Sequence, residues 1–366
     1  MVTTETAQPP ISPWAGLQSR FLESRSEADQ LRIFDLSARA AQILYRWAAR
    51  YPLIRRVRVW PLALSVAVGA PFSTVEALIS TARLNLWVFT LDDLFDEERV
   101  PRAELMRRAE RYRAIVHNEP VAPARDSLAA ALNEVRDDLA RYPLFEALGG
   151  EWAAALCGTI DGMMREYEWR LSYRHDDAPV LPSYEEYLIP GRYSVGGPPH
   201  VWATLVTTND PSIPQHLEHL RLMERIASTC IRLANDLQSY AKELDEGKIN
   251  AVVLLSQQYQ REGLTVEEAY RRAETRVRTD IAGGLDALTN LQATTCTRTR
   301  RPEAAIADIA RFVCDFYTRH DYHTFVMGRA GETRPSRPME MGRVGHPVEI
   351  GRSHDERARL YPVYQG

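Results

Sequence analysis

The chain has 366 residues, 45% of them hydrophobic and 26% charged, with a net charge of −4. That is enough for a sizeable core in one large or two ordinary domains, and an acidic balance offers nucleic acid no basic footprint. The four cysteines, Cys157, Cys230, Cys296 and Cys314, are scattered without a CxxC pair; this argues against a zinc ribbon or disulfide framework and suits a reducing, cytoplasmic setting.

Residues 1–27 begin MVTTETAQPPISPW, with no basic start and no apolar core, so a signal peptide is not expected. Their Pro, Thr and Ser content reads as a flexible N-terminal segment. The longest apolar run, Trp60 to Phe72, falls short of the ~20 residues of a membrane span and reads as core. FSTVEALISTARLNLWVFTLDDLFDE opens on a capping box of Ser73 and Glu76 and runs without Gly or Pro for about seven turns. A second box, Ser183 with Glu186, starts SYEEYLIPGRYSVGG, where Pro190 and Gly191 should break the helix partway. PQHLEHLRLMERIASTCIRLANDLQSYAKELDEGK reads as a helix of roughly thirty residues ending at Gly247. Thr265 with Glu268 opens another long helix. Alternating β-branched runs are missing, so the expected class is all-α. One domain over 28–327 holds about a dozen helices around a central cavity, and 328–366, rich in Pro, Gly and Arg, reads as a mobile C-terminal tail.

The sharpest feature is WVFTLDDLFDEERV, where an apolar stretch runs into Asp92, Asp93, Asp96, Glu97 and Glu98. On a helix Asp92 and Asp96 share a face, with Asp93 beside them. Carboxylates this close repel one another unless a cation joins them, and hard oxygen donors suit Mg²⁺, which takes one or two protein carboxylates plus substrate phosphates. A solvated acidic helix end is the plainer alternative for such a motif alone. The second feature is RLANDLQSYAKELDEGK, where Asn235, Ser239 and Glu243 stand at i, i+4 and i+8. They set three oxygen donors along ~12 Å of one helical stripe, where an apolar stripe would otherwise avoid desolvation cost. Lys242 stands next to Glu243 and offers a point charge to a phosphate oxygen.

DDLFD paired with NDLQSYAKE resembles the two metal-binding motifs of class I terpene synthases of the microbial type, and the resemblance spans roughly residues 30 to 327. The second motif is the Asn/Ser/Glu form of cyclases rather than the second aspartate-rich motif of prenyl-chain elongases. The resemblance implies an all-α class I fold, three Mg²⁺ ions and an isoprenoid diphosphate substrate. It assigns Asp92, Asp93, Asp96, Asn235, Ser239 and Glu243 to metal binding. A diphosphate-sensing arginine followed four residues later by a helix-break glycine matches Arg192 and Gly196, with Val195 between. Arg232, one turn before Asn235, is a further diphosphate contact or a structural residue.

The Arg-Tyr pair that usually closes over the diphosphate is absent, and CDFYTRHDYHTFV stands there instead. Tyr322 is the stand-in for the tyrosine, and Arg319 or His323 for the cation. Aromatic residues expected along the cavity are Trp87, Phe89, Tyr193, Trp202, Phe316 and Tyr317, whose π-faces stabilise cations; ordinary core packing is the plainer reading of each. The released diphosphate can take the final proton, so no protein base is required. His175 to Asp177 form a weaker metal candidate in an expected loop. The ending FYxxxDYHT is similar to that of diterpene-using members, which points to a C20 substrate, geranylgeranyl diphosphate or a bicyclic diterpenyl diphosphate. The latter needs a separate class II diterpene cyclase upstream, since the chain has no DxDD. Alternatives are a sesquiterpene synthase acting on farnesyl diphosphate, a prenyl-chain elongase, and a non-catalytic isoprenoid-binding protein. Family members are often homodimers.

Overall fold

A computed structural model describes residues 17, 19–96, 100–121, 125–175 and 180–323. In chain order the helices are α1 (Arg20–Glu23), α2 (Glu27–Ala48), α3 (Val59–Gly69), α4 (Val75–Asp96), α5 (Arg102–Val116), α6 (Ser127–Leu139) and α7 (Phe145–His175). Then come α8 (Tyr184–Ser194), α9 (Gly197–Thr207), α10 (Leu217–Asp245), α11 (Ala251–Arg261), α12 (Val266–Thr294) and α13 (Arg301–Tyr317). Short 3₁₀ turns at Arg56–Arg58 and Ile213–His216 precede α3 and α10, and no strand occurs among the described residues. The all-α expectation holds, and no described helix is long and apolar enough to cross a membrane.

Helix α4 is buried on nearly every side, from Val75 through Leu91 to Phe95, as expected of a helix that is apolar all round. Helices α2, α3, α6, α7 and α9 pack against it, and α13 closes the bundle by packing on α3, α9 and α10. A smaller core, with Tyr187, Leu233, Leu255 and Val277, joins α8, α10, α11 and α12.

Local chemistry explains most element ends. Ser183–Glu186 and Thr265–Glu268 both form the expected capping boxes. Helix α10 stops before Gly247, whose φ of +63° is open to glycine at little cost. Three expectations need correction. Helix α4 is capped one residue later than read: the Thr74 carbonyl accepts from Leu78 N–H at 3.1 Å and its Oγ1 accepts from Ala77 N–H at 3.3 Å, while Ser73 N–H turns back to Ala70 O. Helix α8 runs through Pro190 and Gly191 and breaks at Gly196, with φ +76°. Gly191 keeps helical backbone there, and a Cβ at that position would make only ordinary contact with the Arg232 side chain, 3.5 Å away. Part of segment 1–27 is also tied down: Ser19 Oγ and Phe21 N–H donate to Asp315 Oδ2 at 2.7 and 3.2 Å, and Leu17 and Leu22 are buried. Residues 328–366 lie outside the described residues.

Candidate metal centre and apolar cavity

The end of α4 carries the first acidic motif, and its three aspartates meet different partners. Asp93 is claimed by arginines: Arg58, 1% exposed, holds it through both guanidinium nitrogens at 2.7 Å, and Arg55 Nε lies at 3.3 Å. Asp96 sits between Arg170 Nη1 and Lys248 Nζ, each at 2.8 Å. Burial pulls the Asp96 carboxyl up, but Lys248 and Arg170 outweigh it and hold it below its ordinary value. Asp92 has neither arginine nor lysine on its oxygens among the described residues; its near neighbour is the His323 ring, Nε2 at 3.8 Å. Burial, with the Asp96 charge next, pushes the Asp92 carboxyl well above the usual carboxylate range. A carboxylate left this way is the one whose charge a metal would relieve. Expected ligand Asp93 is thus taken up by an ion pair. Glu97 and Glu98 lie outside the described residues.

The second motif, on α10, is held by neutral groups. Ser239 Oγ donates to the Asn235 carbonyl at 2.9 Å, and Asn250 Nδ2 donates to Glu243 Oε2 at 2.7 Å. Asn235 and Asp92 both act on the Tyr317 hydroxyl, whose pKa burial pushes up. Lys248, in the turn after α10, bridges to Asp96, so the ends of α4 and α10 face each other across it. Among the described residues no three His, Cys, Asp or Glu side chains gather into a metal group of their own. The donors present fit Mg²⁺ in another way, through a carboxylate on one side, an amide, a hydroxyl and a carboxylate on the other, and phosphate oxygens between.

Beside the end of α4 lies a small, mostly apolar cavity. Leu62, Val88, Phe89, Ile231, Val313, Tyr317 and Tyr322 supply most of its wall. Gly196 joins it at the α8–α9 break, so close to α4 that a Cβ there would stand 2.7 Å from Val88 Cγ1. Val88 and Phe89, from the apolar run of α4, line the cavity, and Asp92 follows them by about one turn.

The other expected residues divide sharply. Phe89 and Tyr317 line the cavity, whereas Trp87, Tyr193, Trp202 and Phe316 are not among its lining. Trp87 turns outward, donating through Nε1 to Leu128 O at 2.8 Å and packing edge-on against Tyr112. Tyr193 packs on Gly158 under the Arg192 guanidinium, and Phe316 stacks behind Tyr322 with centroids 4.3 Å apart. Trp202 is core.

Arg192 is not brought to the metal mouth: it meets Tyr193 and the Glu224 charge, and Glu224 precedes Asn235 on α10 by about 16 Å of helix. Arg232 is the buried cation near the motif, fixed by Asp236 at 3.0 Å, Glu166 at 3.2 Å and the Tyr187 hydroxyl at 2.9 Å. Lys242 points to solvent, 64% exposed, with Glu246 at 3.7 Å. Tyr322 is buried in the cavity wall with its hydroxyl 3.3 Å from Ser65 Oγ, and Arg319 is exposed. Among the described residues after α13, His323 reaches the first motif, its Nδ1 2.7 Å from Arg58 Nη2. Helix α7 ends at His175, and Asp176 and Asp177 lie outside the described residues.

Several residues at the mouth carry no motif. Arg58 follows the basic run Arg55–Arg56, and Glu166 with Arg170 shares one face of α7, four residues apart; both spacings were signals available in the sequence. Glu166 accepts from Ser194 Oγ at 2.6 Å, and burial raises its carboxyl despite Arg232. Asn250 ties Glu243 to the Asp236 carbonyl while capping α11; a lone Asn after Gly-Lys-Ile gives little warning of that.

Comparison with known proteins bears on the family and the fold. The chain is 28% identical over 239 residues to pristinol synthase of Streptomyces pristinaespiralis, covering 60% of this chain and 57% of that one. It is 37% identical over 116 residues to ent-kaurene synthase-like 3 of Oryza sativa subsp. japonica, covering 31% of this chain and 14% of that one. The match thus spans less than two thirds of these relatives. The fold is that of 2-methylisoborneol synthase from Streptomyces coelicolor A3(2), solved with Mg²⁺ and geranyl-S-thiolodiphosphate, with a TM-score of 0.62, 17% identity, and 81% and 93% of the two chains covered. Residues 83–282, more than half of the chain and inclusive of both motifs, match the family described as terpene synthase family 2, C-terminal metal binding, and the chain belongs to that family.

Proposed function

We propose that this protein is a Mg²⁺-dependent class I terpene cyclase that ionises an isoprenoid diphosphate, with a C20 substrate favoured, and cyclises or rearranges the cation to a hydrocarbon or alcohol. The observation that carries the reading is that Lys248, in the turn after α10, pairs with Asp96 at the end of α4, which sets the two motif ends on either side of it, while Tyr317 of the apolar cavity wall feels both Asn235 and the Asp92 charge. Asp92, Asn235, Ser239 and Glu243 would hold the metal, three ions by family resemblance, and Asp96 joins them when Lys248 or Arg170 gives way. Bound Mg²⁺ supplies Lewis-acid neutralisation of the leaving diphosphate.

The chain's own residues do the rest. Arg170 and Lys248 add fixed positive charge at the mouth. The apolar wall keeps water from the cation, and the faces of Phe89, Tyr317 and Tyr322 stabilise it in transit. Val195 and Gly196, at the C-terminal end of α8, turn the negative end of that helix toward the cavity. The C20 preference rests on the FYxxxDYHT ending and on relatives named for kaurene, which lean toward diterpenes.

The test is incubation of the purified protein with Mg²⁺ and, separately, C10, C15 and C20 linear diphosphates and a bicyclic diterpenyl diphosphate, with gas chromatography–mass spectrometry of the extract. A cyclic C20 product is expected. A C15 product overturns the chain length but keeps the reaction, longer linear diphosphates indicate an elongase, and no diphosphate release from any substrate overturns the enzyme reading.

A further inference from the structure

At the floor of the cavity, away from the metal mouth, stands a histidine that no motif explains. His200 follows Pro198 and Pro199 in the first turn of α9 and lines the cavity beside Asn85 of α4. It is 7% exposed. Its Nδ1 lies 3.3 Å from Asn85 Nδ2, while its Nε2 is buried with no hydrogen-bond partner. A buried polar atom without a partner costs free energy and calls for an explanation. Burial alone lowers the ring's pKa to about 4, so it is neutral at physiological pH.

Position matters as much as chemistry. Asn85 precedes Asp92 by seven residues, about 10 Å along α4. A diphosphate held at the mouth is remote from protons on the part of the substrate packed against this floor. We infer that His200, oriented by Asn85, is the base that ends the cyclisation by removing a proton from the final carbocation. The inference rests on the reading above.

In the step, a C–H bond next to the cationic carbon breaks and its electron pair becomes the C=C bond. The proton passes to Nε2, which is closed off in this structure and is reached as the substrate parts the side chains around it; the imidazolium later yields the proton to the departing diphosphate or to solvent as the site opens. Asn85 governs the tautomer. With Nδ2 toward the ring, Nε2 carries the hydrogen; a half-turn of the amide places Oδ1 there with the heavy atoms unmoved, so that Nδ1 carries it and Nε2 presents its lone pair. A cation in the cavity selects the second arrangement, because an N–H dipole aimed at it repels and a lone pair attracts. A weak base suffices, since a proton beside a carbocation is very acidic, and a ring with so low a pKa is ready unprotonated.

The experiment compares wild type, His200→Phe, His200→Gln and Asn85→Leu with Mg²⁺ and the linear C15 and C20 and bicyclic diterpenyl diphosphates, reading both released diphosphate and product distribution. In His200→Phe the main wild-type product should fall to a minor share, replaced by alkene isomers and products of earlier cations. His200→Gln, which keeps an acceptor, should restore part of it. Asn85→Leu should shift the mixture in the same direction, and it decides the matter if His200→Phe fails to fold by circular dichroism. Diphosphate release with an unchanged product mixture overturns the role of His200. Absence of diphosphate release from wild type overturns the cyclase reading itself, and this inference with it.

Discussion

The two motif helices present their oxygen donors under opposite electrostatic regimes. At the end of α4, Asp93 and Asp96 are each compensated by two cations, Arg58 and Arg55 for one, Arg170 and Lys248 for the other. On α10, Ser239 and Glu243 are tied by a backbone carbonyl and the Asn250 amide. One side of the mouth is thus locked by charge at Asp93 and Asp96, while Asp92 meets neither arginine nor lysine among the described residues. The other is held by hydrogen bonds from a hydroxyl and an amide. Adjacent aspartates in a motif need not share a role, and their neighbours from other helices decide which is the ligand.

The comparison can be broken at its strongest point by Asp92→Ala. Loss of metal-assisted charge stabilisation should lower turnover about 10³-fold or more, with helical circular dichroism unchanged; retained activity would sink the assignment. Asp93→Asn should act differently, leaving the buried Arg58 charge without its carboxylate. A loss of about 3 kcal/mol in urea unfolding is expected, and stability equal to wild type would show that Asp93 is not the lock.

The cavity floor gives a third test, through pH. The neutral, buried His200 has a folded pKa of about 4 against an ordinary 6.5. The unfolded chain therefore binds a proton first as pH falls, and the folded state loses stability from about pH 6.5 downward, levelling near pH 4. At pH 5 the penalty is about 2 kcal/mol, so His200→Phe should lose less stability than wild type between pH 7 and pH 5. Parallel losses would contradict it. The smallest effect belongs to Lys248→Met. Lys248 is 19% exposed and pairs with a partly exposed Asp96, so about 0.5–1 kcal/mol should disappear from metal-free stability. A larger loss would mean the charge lock at α4 is tighter than the geometry implies.

Much of this was readable in the residues. Long uninterrupted periods gave α4, α10 and α12, and two capping boxes fell where read. The helix runs on through Pro190 and Gly191, and the positive φ that ends it belongs to Gly196. For the site, spacing located both motifs but left their partners unnamed. Arg58, Glu166, Arg170, Lys248 and His200 come from α7, α9 and two connecting segments, and only the packing of those elements brings them to the mouth or the cavity. The aromatics split for the same reason: Phe89 and Trp87 are two residues apart on α4, so they point to different sides, one to the cavity and one to α5 and α6.

The closeness of Gly196 to Val88 bears on how product spectra can be altered. A methyl group at position 196 would meet Val88 at 2.7 Å in a backbone conformation that side chains rarely adopt, so this wall is closed to variation by substitution. Leu62, Ile231 and Val313 face the same space from ordinary helical backbone on α3, α10 and α13. Diversity of skeleton, whether drifted or engineered, should accumulate on that side of the cavity while the glycine hinge stays fixed.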